Sequence, residues 1–300
     1  MKRQCVATIG FFDGVHRGHQ CLVSQVCGLA RKLCCPSLVV TFDKHPRQVL
    51  HSDYIPQLLS TLSEKKVLLK ATGIDRLEVL SFTEEMSRMT ALEFMQQVLR
   101  DRLDVQTLVM GYDHHFGCDG GTFPDYVEWG RQAGIDVVLA HELEGEKVSS
   151  SRIRRFLMSG DVRMANRLLG YCFSLEGVVV SGHQVGRHIG FPTANLKVQD
   201  DKLLPAQGVY AVRVRVEEDA TYDGMLCIGH RPTLNNGDEL SVEANLFDFN
   251  GDLYGKKVML SMADRLRDEQ SFPSVLALQQ QLEQDAVQAR IILSTTDDKH

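Results

Sequence analysis

A chain of 300 residues, 43% of them hydrophobic, is long enough for two domains of ordinary size, each with its own core. Its 33 basic and 39 acidic residues leave a formal net charge of −6, which argues against nucleic acid as a partner, because a grip on the phosphate backbone depends on clustered lysine and arginine. No apolar run approaches the roughly 20 residues that span a bilayer, and Met1-Lys2-Arg3-Gln4, followed at once by a strand, lacks a signal-peptide layout, so no membrane partner and a cytoplasmic setting are expected.

The first half alternates strand and helix. Val6, Ala7, Ile9, Phe11 and Phe12 predict a buried strand over 5–12, and Cys21, Leu22, Val26, Leu29, Ala30 and Leu33 recur at helical spacing over 18–34. A strand over 37–42, a helix near 60–72 and a strand over 76–82 follow. Thr90-Ala91-Leu92-Glu93 has the pattern of a capping box and opens a predicted helix over 91–103. Strands over 107–111 and 136–140 then flank a helix over 124–133. This α/β alternation predicts a parallel sheet, which takes its ligands outside the carboxyl ends of its strands. Near residue 170 the pattern changes to short strands punctuated by glycine, over 175–181, 208–216, 222–228, 241–249 and 257–262. They predict a small antiparallel β-barrel. A closing helix starts near Pro273 and carries the stripe Val275, Leu278, Leu282, Ala286, Ala289 and Ile292. The expected domains are 1–170 and 171–300. The eight cysteines contain no Cys-x-x-Cys, so free thiols are expected rather than a zinc site or a disulfide framework.

Residues 8–19 form a glycine-rich turn between the first strand and the first helix. A helix start presents free N–H groups to an anion, and Gly10, Gly14 and Gly18 allow close backbone approach to a nucleotide. His16 and His19 share one helical face, where they read either as donors to phosphate oxygens or as two solvent-facing histidines. The string Gly10-Phe11-Phe12-Asp13-Gly14-Val15-His16-Arg17-Gly18-His19 resembles the signature of the nucleotidyltransferases that transfer AMP or CMP, and most closely their FAD synthetase branch. That resemblance adds Phe12 and Asp13 to the nucleotide site.

The second constellation is Gly186-Arg187-His188-Ile189-Gly190-Phe191-Pro192-Thr193-Ala194-Asn195. Thr193 and Asn195, at i and i+2 of an extended segment, point the same way and offer hard oxygen ligands suited to Mg²⁺ carrying ATP phosphates. Gly182, Gly186 and Gly190 are placed to form a loop over those phosphates; the plainer alternative is a Gly/Pro turn capped by polar side chains. Gly190-Phe191-Pro192-Thr193-Ala194-Asn195 resembles the hallmark of riboflavin kinase, which also brings Arg187 and Pro192 to the nucleotide. The same resemblance points to Glu243, within Val242–Phe249, as the carboxylate that accepts the substrate hydroxyl proton, with Asp248 as the alternative base. For a lone mid-strand glutamate the competing reading is a solvent-facing residue.

Further matches run in order: Gly208-Val209-Tyr210, Ile228-Gly229-His230-Arg231-Pro232-Thr233, Asp252-Leu253-Tyr254-Gly255 and Arg267-x-Glu269-x-x-Phe272. By resemblance Arg267 lies in the segment that contacts flavin. In the first domain, Thr41–Pro46 and Gly111–Gly117, the latter with Asp113, end strands at the ligand edge. Ser149-Ser150-Ser151-Arg152-Ile153-Arg154 resembles a Ser-Ser-Thr-x-Ile-Arg motif, with hydroxyls at a helix start and Arg154 for the triphosphate. Adjacent His114 and His115 diverge on an extended segment, so no metal site is expected there.

Over nearly its full length the sequence resembles the bacterial bifunctional riboflavin kinase/FAD synthetase family. The resemblance implies a Rossmann-like nucleotidyltransferase domain with a parallel sheet, followed by a small antiparallel β-barrel kinase domain with a closing helix. It implies phosphorylation of riboflavin to FMN by Mg²⁺-ATP, with Glu243 as base. It further implies adenylylation of FMN to FAD by a second ATP, with release of pyrophosphate, charge being stabilised by His16, His19 and Arg154. Phe11 stands where the family commonly has Asn, and Ser151 where it has Thr. After the family's Asp-Phe-x-Phe-Gly a basic residue usually follows, whereas Gly117-Cys118-Asp119-Gly120-Gly121 brings an acid, so a smaller contribution to nucleotide binding is expected from that loop.

Overall fold

In the N-terminal half the short apolar runs pair into a parallel sheet in a computed structural model that describes residues 4–50, 54–181, 190–217, 220–230 and 240–296. The strands are β1 (Cys5–Ile9), β2 (Ser37–Phe42), β3 (Arg76–Leu80), β4 (Val105–Met110) and β5 (Asp136–Leu139), in the order β3-β2-β1-β4-β5. Alternate residues of β1 serve opposite faces, as the strand period of two requires. Cys5, Ala7 and Ile9 join one core with Phe94, Leu99 and Tyr126, while Val6 joins another with Val26, Ala30 and Val109. Helices therefore cover both faces: α1 (Arg17–Lys32) on one side, and on the other α5 (Ala91–Glu93), its π-helical continuation Phe94–Arg100, and α6 (Phe123–Ala133). The predicted capping box is present, with Thr90 Oγ1 accepting from the Glu93 N–H at 3.2 Å and Glu93 Oε2 accepting from the Thr90 N–H at 2.8 Å. A second box, Thr61 with Glu64, opens α3 (Leu62–Ala71). β1 ends three residues before the predicted boundary because Phe12 takes a left-handed conformation (φ 54°), turning the chain into a short 3₁₀ turn, Asp13–Val15.

Contacts divide the chain into two units, Met1–Ser150 and Ser151–His300, earlier than the expected boundary at 170. Helices α7 (Ser150–Met158) and α8 (Val162–Leu169) account for the difference. Asn166 of α8 donates to the Met262 carbonyl at 2.9 Å, and the Ala206 N–H donates to the Leu157 carbonyl at the same distance, tying both helices to the second unit.

The second unit is a closed antiparallel barrel of β6 (Ser174–Val180), β7 (Ala194–Val198), β8 (Gly208–Val216), β9 (Ala220–His230), β10 (Leu240–Leu246) and β11 (Lys257–Arg267), in the order β10-β7-β6-β11-β8-β9. Closure removes free edges. The closing helix α9 (Val275–Thr296) lays Leu282, Ala286, Ala289, Ile292 and Leu293 on an outer barrel face made by Val209, Ala211, Met225 and Phe247. The predicted stripe is thus met at four positions, while Val275 is exposed. The sequence pattern did not reveal β7, whose five residues carry little alternation. Among the described residues no helix is long and apolar enough to cross a membrane.

Candidate functional sites

In the first unit the candidate site lies at the carboxyl ends of β1 and β4, neighbours whose connections run to opposite sides of the sheet, the position at which such sheets open a crevice. The turn after β1 is built tightly. A Cβ on Gly10 would come within 3.1 Å of the Phe12 ring, and one on Gly18 within 3.3 Å of the His16 ring. Asp13, buried, accepts from the backbone N–H groups of Leu59 (2.9 Å) and Ser60 (3.1 Å), while the Gly14 N–H donates to Ser60 Oγ at 3.0 Å. The Asp13 carboxylate therefore holds the turn against the 58–60 segment. Ser150 Oγ donates to the Asp13 carbonyl at 3.0 Å, which brings that serine to the same turn.

His16 caps α1, its Nδ1 accepting from the His19 N–H at 3.4 Å. In a neutral imidazole that leaves the proton on Nε2, as a donor. The His16 and His19 rings stack at 3.7 Å, and Phe12 meets His19 edge-on at 5.1 Å. Burial, then His16, His114 and Lys65, hold the His19 pKa well below the usual histidine range, so His19 is neutral at pH 7. Its Nδ1 is buried without a hydrogen-bond partner.

Sequence reading missed Lys65, which is 1% exposed. Its Nζ donates to the Phe11 carbonyl at 3.0 Å and the Phe42 carbonyl at 2.8 Å, joining the ends of β1 and β2, and lies 3.9 Å from the Phe11 ring centroid. Burial lowers its pKa to about 8, against the opposing pull of Asp13 and Asp43. The predicted acidic loop is explained too, for Asp119 Oδ1 accepts from the Ala91 N–H at 2.9 Å at the start of α5. Asp113 is exposed at the end of β4, Ser149 is half-buried, and Ser151 and half-buried Arg154 lie on α7.

In the second unit the strand register joins residues that the sequence treated separately. Arg267 pairs with Val209, Val209 with Cys227, Cys227 with Glu243, and Glu243 with Asn195, one row across β11, β8, β9, β10 and β7. Glu243 and Asn195 are thus immediate cross-strand neighbours, and Thr193 Oγ1 donates to Glu243 Oε2 at 3.2 Å. Asn195 is 7% exposed, and its Oδ1 is a buried oxygen without a hydrogen-bond partner. That orphaned acceptor, beside a hydroxyl and a carboxylate, fits a hard cation such as Mg²⁺. Asp248 is 78% exposed and ion-paired with Arg290 at 2.9 Å.

Arg267 is held from the helix side. Asp285 of α9, 2% exposed, accepts from its Nε at 2.9 Å and from its Nη2 at 2.8 Å, and Gln281 donates to the same carboxylate. Cys227, in mid-row, has its thiol pKa pushed up to about 11 by burial, and then by Glu269 and Glu243. Neither Asp285 nor Cys227 stands in a motif, and only the strand register and helix packing reveal them. An open pocket adjoins the row, lined by Pro192, Thr193, Ala194, Phe249, Asp252 and Tyr254 among others. Gly190 is exposed with φ 82°, while Gly182, Gly186 and Arg187 lie outside the described residues.

Comparison with known proteins bears on both units. A family model described as FAD synthetase matches residues 1–152, and one described as riboflavin kinase matches 169–293. The chain is 38% identical over 293 residues to a bifunctional riboflavin kinase/FMN adenylyltransferase of Pseudomonas fluorescens, covering 97% of this chain and 93% of that protein. It is 34% identical over 295 residues to a protein of the same description from Escherichia coli (strain K12), covering 97% and 94%. A crystal structure described as a macrolide-efflux protein from Streptococcus pneumoniae shares the fold with a TM-score of 0.88 and 36% identity, covering 97% of this chain and 95% of that one.

Proposed function

The chain belongs to the bifunctional riboflavin kinase/FMN adenylyltransferase family and carries both activities, and we propose how its residues divide the two reactions between 1–170 and 171–300. The kinase reaction falls to the row across the barrel. Arg267 and Glu243 lie three strand gaps apart round the barrel wall, roughly 14 Å of contour at a spacing of about 4.8 Å, and the flavin ring is assigned to the Arg267 end of the row and its ribityl hydroxyl to Glu243. Glu243 accepts the proton of that hydroxyl as its oxygen attacks the γ-phosphorus of ATP, and FMN and ADP leave. Thr193 Oγ1 and Asn195 Oδ1 would hold Mg²⁺, which when bound offsets the phosphate charge. The pocket bounded by Pro192, Phe249 and Tyr254 is assigned to the nucleotide base, with Gly190 beside the phosphates.

Adenylylation falls to the turn after β1. A phosphate oxygen of FMN attacks the α-phosphorus of a second ATP, the bond to the β-phosphate breaks, and FAD and pyrophosphate result. His16 and His19, as hydrogen-bond donors, and Arg154 stabilise the charge on the phosphates. Gly10, Phe12, Asp13, Gly14 and Gly18 shape the cradle, with Asp113 and Ser149–Ser151 at its rim. The eight free thiols suit a cytoplasmic enzyme. The observation that carries the reading is the row joining Arg267, Glu243 and Asn195. Mixing the protein with riboflavin, ATP and Mg²⁺ and separating the flavins by chromatography tests it: FMN and FAD are expected, while FMN alone removes the adenylyltransferase and neither removes both.

A further inference from the structure

We propose that His114 is a third imidazole of the phosphate cradle, donating from Nε2 to the polyphosphate that His16 and His19 hold. The inference rests on the reading of the first unit as the adenylyltransferase. His114 follows β4, the strand that borders β1, and its N–H closes a turn on the Gly111 carbonyl at 3.2 Å. That turn is packed against α1, since a Cβ on Gly111 would stand 3.8 Å from both the His114 Cβ and the Leu22 Cδ2, one turn beyond His19. His114 lies near enough to His19 to act on its charge, which puts the two imidazoles at the same end of the sheet.

Its Nε2 is buried without a hydrogen-bond partner, and so is the Nδ1 of His19. Such nitrogens are costly to leave unsatisfied, and two of them on neighbouring imidazoles form a built site for an acceptor-rich group. Burial, with a smaller contribution from His115 and against Asp113, lowers the His114 pKa to about 4, so the ring is neutral at pH 7 and can carry its proton on Nε2. A polyphosphate has oxygen acceptors for both nitrogens at once. The family pattern Asp-Phe-x-Phe-Gly has a phenylalanine here, a ring of similar breadth that cannot donate, so the extra donor is a feature of this chain.

The test compares wild type with His114→Phe and His114→Gln, the second retaining an N–H near the position of Nε2. FMN adenylylation, riboflavin phosphorylation and calorimetric binding of magnesium pyrophosphate are measured on each. In His114→Phe, kcat/KM for ATP in adenylylation and the affinity for pyrophosphate are expected to fall at least 10-fold, the effect of losing one hydrogen bond to a charged group. His114→Gln recovers part of both, and phosphorylation is unchanged throughout. Wild-type kcat/KM in His114→Phe overturns the inference, as does equal loss in the two variants, which marks a residue needed only for packing. A wild-type protein that forms FMN but no FAD overturns the underlying reading as well, and is recognised before any variant is made.

Discussion

The Arg267–Asp285 pair links the closing helix to the proposed flavin contact, and its removal has a calculable effect. Asp285 is 2% exposed and Arg267 17%, with three donor–acceptor distances between 2.8 and 3.1 Å. Breaking a fully buried pair costs about 3–5 kcal/mol, because the remaining charge stays buried without its partner. The partial exposure of the guanidinium puts Asp285→Ala at the low end, about 3 kcal/mol. For a unit of this size each kcal/mol lowers Tm by about 2–4 °C, so calorimetry should show the second unit melting about 6–12 °C earlier. The double variant Arg267→Met, Asp285→Leu replaces the pair with apolar groups, and should recover most of that stability while KM for riboflavin remains raised. That separation matters, since it distinguishes the pair's structural effect from the contact proposed between Arg267 and flavin. An Asp285→Ala protein melting within about 2 °C of wild type would refute the reasoning.

Lys65 gives a pH signature in the first unit. Its folded pKa, lowered to about 8 from 10.5, means that burial of the charge opposes folding below pH 8, and that the opposition is lifted as pH rises toward 10.5. Urea midpoints should show wild type gaining up to about 3 kcal/mol over that window relative to Lys65→Met, and parallel pH curves for the two proteins would contradict the assignment. At the kinase site, Asn195→Ala deletes the orphaned acceptor. The Mg²⁺ concentration needed for half-maximal riboflavin phosphorylation should rise about 10-fold or more, FMN adenylylation staying constant, and an unchanged Mg²⁺ requirement would remove Asn195 from the metal site.

Much of the architecture was legible because hydrophobic period and turn chemistry agreed locally. The Thr90–Glu93 box and the Leu282–Ile292 stripe each reappear where local pattern puts them. What was not legible depends on pairing between distant segments. Thr193 and Asn195 could be read as a donor pair, but their nearness to Glu243 follows from the register of β7 on β10, which no local spacing encodes. Lys65 reads as one more polar residue on a surface helix, and its burial becomes visible only when the Phe11 and Phe42 carbonyls converge on its ammonium group. Asp13 illustrates the reverse. A motif carboxylate beside a nucleotide turn invites a ligand role, and local spacing gives no sign that its oxygens also accept from the Leu59 and Ser60 N–H groups and fix the turn. Helices α7 and α8 carry strong amphipathic faces and lie where the pattern changes, in the stretch between the contact boundary at 150 and the expected one at 170.

The central claim, that Glu243 serves one reaction and the turn after β1 the other, is tested most directly by Glu243→Gln. This variant keeps the side-chain volume and removes the base. Incubated with riboflavin, ATP and Mg²⁺, followed by separation of the flavins, it should form FMN at least 100-fold more slowly than wild type, whereas with FMN, ATP and Mg²⁺ it should form FAD at the wild-type rate. Equal loss of both products, or FMN formation close to wild type, would contradict the division of labour.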